Sequence, residues 1–71
     1  MRFPRIRDLR EDSDRRQEDV ANYLFMKRGV YQRYESGERE IPVWALIKLA
    51  QLYHTSTDYI LGLTNRRGPI D

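Results

Sequence analysis

The sequence predicts an all-α fold built from five short helices. Three observations predict it. Apolar residues recur three and four positions apart along most of the chain. Strand-like alternation of β-branched residues is absent. Pro4, Gly37, Ser56 and Gly62 fall where such helices should start or stop.

The first helix is expected over Pro4 to Asp12. Proline suits a first turn, where its missing N–H costs nothing, and Ile6 and Leu9 face inward. Glu11 to Arg16 forms a polar connection. The second helix runs from Gln17 to Leu24, with Val20, Ala21 and Leu24 as its apolar stripe. Arg16 cannot cap this helix, which points to an earlier start with Asp14 as the cap. The third helix runs from Arg28 to Ser36, with Tyr31 and Tyr34 inward and Gly37 as a left-handed cap. The fourth spans Val43 to about Tyr53 on a stripe of Leu46, Leu49, Ala50 and Tyr53, widened by Ile47. Trp44 fits either the core or a contact between copies, and packing is the expectation. His54 stands where the helix stops, in a C-cap or dipole role. Ser56 caps a short fifth helix around Tyr59, Ile60 and Leu61, with Asp58 favouring its dipole. Residues 1–64 read as one domain and 65–71 as a flexible tail.

A chain of 71 residues has room for one small domain, and so small a domain buries only about 60% of its unfolded surface. It holds no cysteine and one histidine, which excludes disulfide scaffolds, thiolate metal sites and clusters of histidine ligands. No nucleophile–base set, phosphate loop or metal-spaced carboxylate group is present, so no enzymatic activity, metal or cofactor is expected. The carboxylates scatter over expected surface positions. No apolar run approaches the ~20 residues of a membrane span, and the N-terminus does not read as a secretory signal. A cytoplasmic location is expected.

The net charge is only +2, but eleven of the thirteen basic residues are arginines. Arginine's planar fork suits phosphate oxygens and guanine edges. Arg5, Arg7 and Arg10 read as solvated, because acids surround them. The window Phe25 to Tyr34 differs. It holds Lys27, Arg28 and Arg33 and no acid.

The second and third helices are short and only Phe25, Met26 and Lys27 separate them. So short a connection favours a steep crossing, the helix–turn–helix arrangement. At 100° per residue, Arg28, Gln32 and, less squarely, Gly29 and Arg33 point away from Tyr31 and Tyr34. Arginine can read guanine in a major groove and glutamine can read adenine. The alternative for these side chains is an ordinary solvated helix face.

The run Gln17-Glu-Asp-Val-Ala21, Leu24, Tyr31-Gln-Arg-Tyr-Glu-Ser-Gly-Glu-Arg39, Pro42, Leu49-Ala50 and Ser56-Thr-Asp-Tyr-Ile-Leu-Gly62 resembles the Cro and lambda-repressor-like, or XRE, helix–turn–helix family. The resemblance covers about residues 5–63. It implies a compact five-helix DNA-binding domain of a transcriptional regulator, acting as a repressor and binding a pseudo-palindromic double-stranded operator as a homodimer. It implies that Gln17 contacts a phosphate and that Arg28, Gly29 and Gln32 face bases. Lys27 and Arg33 match positions at the edge of the recognition helix, where the resemblance allows either phosphate or base contacts. Ser36 and Arg39 match loop positions near the opposite backbone, although Arg39 can equally pair with Glu38 or Glu40. Ala21 matches the small residue at the helix crossing. Dimer contact is expected around Tyr59, Ile60, Leu63 and Ile70.

The sequence departs from this pattern at Phe25, where a glycine or asparagine usually tolerates positive φ, and at Arg16 and Lys27, which are usually capping Ser or Thr. The competing class is a protein-interaction module or antitoxin-like partner on the same fold. The modest charge and Phe25 favour it; the acid-free window opposes it.

Overall fold

The computed structural model describes residues 3–68. Among them are five helices and no strand: α1 (Pro4–Asp12), α2 (Gln17–Tyr23), α3 (Arg28–Ser36), α4 (Val43–Leu52) and α5 (Thr57–Leu61). The expected elements are all present. Leu24 and Tyr53 serve as C-caps instead of closing residues of α2 and α4. Residues 69–71, including Ile70, lie outside the described part.

The core forms where the apolar stripes converge. Ile6 and Leu9 of α1, Val20 and Ala21 of α2, Leu24, Tyr31 of α3, Leu49 of α4 and Ile60 of α5 are all almost completely buried. Ala21, on the side of α2 that faces this core, is 1% exposed. Tyr23, Tyr34, Tyr53 and Tyr59 pack half-buried around this centre.

Four of the helix ends share one backbone device. After α2, the Met26 N–H donates to the Ala21 carbonyl and the Phe25 N–H to that of Asn22. This double bond pattern satisfies the last carbonyls but needs a left-handed residue between them. Asp14, Phe25, His54 and Gly62 occupy that position after α1, α2, α4 and α5, with φ of 57°, 56°, 52° and 84°. Gly37 caps α3 with φ 86°. His54 therefore serves the helix end through its backbone conformation, one residue beyond the C-cap.

Phe25 is the strained member of the set. Its Cβ suffers the left-handed clash, yet its side chain is 89% exposed and gains little burial in return. Phe25→Gly is expected to stabilise the fold by about 1 kcal/mol, the relief of strain less the added freedom of the unfolded chain. A denaturant midpoint that falls in this variant would contradict that account.

Several expectations are corrected. Asp14 does not cap α2. The helix starts at Gln17, and the backbone N–H of Arg16 donates to the Asp19 carboxylate at 2.9 Å. This hydrogen bond holds the Asp19 carboxyl below its ordinary range. Three residues into the helix, an acid thus closes an end that Arg16 cannot cap with its own side chain. Ser56 does cap α5, accepting from the Tyr59 N–H at 3.0 Å. Trp44 and Ile47 are not core residues. Both stand about half exposed on α4, beside the exposed Val43. Ile60 is buried and unavailable to a second copy, whereas Leu63 is exposed.

The N-terminal arginines are not uniformly solvated. Arg5 lies 4.2 Å over the Tyr59 ring. It donates to the Tyr59 and Thr64 carbonyls and to Asn65 Oδ1, tying α1 to the segment after α5. Arg67 pairs with Asp12 at 2.7 Å on the same side. Arg10 is the larger surprise and belongs with the site.

Candidate nucleic-acid interface

The interface rests on the pair α2 and α3. Lys27 is the N-cap residue of α3, in extended conformation and with no side-chain cap bond. Arg28, Gly29, Gln32 and Arg33 follow on exposed positions of the same helix, while Tyr31 anchors its opposite side. A Cβ on Gly29 would meet no other part of the protein within 4 Å, so this chain's packing does not demand glycine there.

Arg33 is partly engaged, with Nε 3.9 Å from Glu38 Oε2 on an exposed surface. Such a pair is worth about 0–1 kcal/mol and yields readily to a better partner. The acid-free window is therefore acid-free only in sequence. The Ser36 hydroxyl donates to the Arg33 carbonyl and accepts from the Glu38 N–H, so it shapes the loop. Arg39 is exposed and, among the described residues, pairs with neither Glu38 nor Glu40.

Gln17 opens α2 half-buried, and its amide donates to Glu35 Oε1 at 3.3 Å. Glu35 is only 5% exposed. Arg10 grips it with two parallel bonds of 2.9 Å, from Nε to Oε2 and from Nη2 to Oε1. The third Arg10 donor, Nη1, reaches the Arg15 carbonyl at 3.0 Å. Burial pushes the Glu35 carboxyl up, but the donors of Arg10 and Gln17 outweigh it and hold it below the ordinary range. The same contact raises the Arg10 guanidinium above its usual value. Beside them, burial drives the Tyr31 phenol upward and raises Tyr53 to about 12.

This cluster welds α1, α2 and α3 together behind the exposed helix face. It corrects two expectations, that Arg10 is solvated and that the carboxylates lie at the surface. Spacing held the signal. Arg10 follows Ile6 by four, and Glu35 follows Tyr31 by four, so each sits on an inward stripe.

The described residues hold no group of three or more metal-ligating side chains and no helix long and apolar enough to cross a membrane. Gln17, Gln32 and Ser36 line one polar cleft, and Gln17 and Arg28 line a second beside it. Lys27 and Arg28 also border an open hollow with Phe25. Lys27, Arg28, Gln32 and Arg33 share the exposed side of the α2–α3 unit, with Gln17 at its edge; Arg39 lies in the loop beyond.

Together the five-helix order and the short link between α2 and α3 define a helix–turn–helix protein. A family described as "Helix-turn-helix domain" matches residues 5–60, and the chain belongs to it, in keeping with the resemblance to Cro and lambda-repressor-like proteins. The chain is similar to YobD, an uncharacterized HTH-type transcriptional regulator of Bacillus subtilis (strain 168), with 37% identity over 65 residues. That match covers 92% of this chain and 58% of the relative, so the chain spans little more than half of the relative's length. No solved structure matches the chain significantly.

Proposed function

We propose that the chain is the DNA-binding part of a transcriptional regulator, a repressor that reads double-stranded DNA by placing α3 in the major groove. The observation that carries this reading is the exposed face of α3. It presents Lys27, Arg28, Gly29, Gln32 and Arg33 outward from a helix anchored by buried Tyr31 and braced by Arg10–Glu35. A rigid helix holds its donors in register with base edges, which is what direct readout requires. Arg28 and Gln32 read bases, Gly29 allows close approach, and Gln17, Lys27, Arg33, Ser36 and Arg39 hold the backbone.

Two copies bind a pseudo-palindrome with half-sites about 34 Å apart. The molecule is 33 Å along its longest axis, so neighbours at that spacing come within touching distance. The test is selection of random duplex DNA on the purified protein at physiological salt, followed by sequencing. A symmetric motif is expected; recovery of unselected sequence would sink the reading.

One observation favours a second reading, a module that binds another protein. Phe25, Val43, Trp44 and Ile47 leave apolar surface exposed. Binding to random duplex that does not change with salt would favour it, since phosphate contacts always release counterions.

A further inference from the structure

The exposed side of α4 has no part in the reading of α3. At about 100° per residue, Val43, Ile47, Trp44 and Lys48 share that side, while the opposite side is core. Lys48 joins it to the end of α2 and the turn that follows. Its Nζ lies 5.8 Å from the Tyr23 ring centre and 6.0 Å from that of Phe25. Trp44 stands one turn before Lys48 on the same helix. One continuous face thus carries four exposed apolar side chains, Phe25, Val43, Trp44 and Ile47, around the head group of Lys48.

Phe25 marks this face as more than leftover surface. It is held in the left-handed region, φ 56°, with its ring in solvent, so nothing inside the chain offsets the strain. Strain kept where the fold gains nothing points to a use outside the fold. Exposed aromatic side chains grouped with aliphatic ones are also what the centres of protein interfaces are made of.

The charges indicate what covers it. Among the described residues no carboxylate pairs with Lys48 within 4.0 Å, and α4 carries no acid along its length. The two rings beside Lys48 attract its charge without neutralising it. Beyond Phe25, the open hollow sets Lys27 and Arg28 against the single acid Glu18, so the surroundings are net positive as well. A second copy docking this face on its own image would bring two unpaired lysines into one small interface, with no acid on α4 to receive either. A phosphate backbone would pair with Lys48 but leave the apolar side chains uncovered.

We propose that this face docks a segment of another protein that presents apolar side chains around a carboxylate. The carboxylate pairs with Lys48, between Phe25 and Trp44, and the apolar groups cover Phe25, Trp44, Val43 and Ile47. These contact residues include none of those assigned to DNA, so the inference holds whether or not α3 reads bases.

The test is selection of a random peptide library displayed on phage against the purified protein, with counter-selection on the Phe25→Gly, Trp44→Gln double variant. Enriched peptides are then titrated into wild type and single variants. Trp44 is the chain's only tryptophan, so its emission reports this face directly. Enriched sequences are expected to carry Asp or Glu among apolar residues and to shift that emission to the blue with saturation. Phe25→Gly should weaken binding about tenfold or more, as loss of an interface anchor does. That variant is expected to fold at least as well as wild type, so its loss cannot come from unfolding. Lys48→Glu should abolish binding, and a peptide with its acid changed to lysine should restore it. No enrichment, enriched sequences without acids, or wild-type affinity in Phe25→Gly would overturn the proposal. A blue shift that grows with protein concentration alone, with a dimer in sedimentation, would assign the face to a second copy and overturn it too.

Discussion

Arg10→Met is expected to destabilise the fold by about 3–5 kcal/mol, the usual loss when one partner of a buried ion pair is removed. Arg10 is 14% exposed at the side chain and Glu35 only 5%. Without the guanidinium, the carboxylate keeps Gln17 as its remaining donor among the hydrogen bonds described. A domain this small holds about 3–5 kcal/mol in total, so the variant should be largely unfolded or close to it. The pH dependence carries a second signature. Glu35 is held below its ordinary range in the folded wild type, so its contribution is full above the unfolded value near 4.3. That contribution is lost as pH falls through the lower folded value. In Arg10→Met, burial dominates and pushes the carboxyl up, so the sign reverses and mild acid partly rescues the fold. Arg10→Met combined with Glu35→Leu should recover most of the loss, because no charge is then left buried. Chemical denaturation at several pH values would check all three. A single variant as stable as wild type would mean the pair contributes nothing.

Arg28→Ala and Gln32→Ala should each reduce discrimination at particular base pairs of the selected operator by about 1–3 kcal/mol. Both side chains are exposed and neither is part of the core, so folding should be intact. Lys27→Ala should instead weaken binding to every sequence alike, as loss of a phosphate contact does. Competition against single-base operator variants separates the two outcomes. A uniform loss across all three substitutions would assign α3 to the backbone and remove it as the reader of sequence.

The helices were legible because each carries local signals that agree. Pro4 starts α1, Ser56 caps α5, and Gly37 and Gly62 supply left-handed caps, as their spacing indicated. Tyr31 and Ala21 were legible as core for the same reason, since periodicity places them inward. The start of α2 was not legible from Arg16 alone. The bond that closes it comes from a backbone N–H to a carboxylate three residues on, which residue type at the cap does not report. Trp44 and Ile47 misled because they lie beside a true apolar stripe, and hydrophobicity alone does not say whether a neighbouring element exists to cover them.

The sequence by itself determined the class of fold, the order of its helices and the helix that carries the candidate contacts. These follow from interactions within a few residues, where spacing is geometry. Only the tertiary structure decided how charge is distributed. It took Arg10 and Glu35 out of the surface and tied Arg5 to the segment after α5. Arg10 and Glu35 lie 25 positions apart. Whether a charge is spent inside the protein or left for a ligand depends on which distant group folding brings beside it, and a list of nearby acids in sequence does not contain that information.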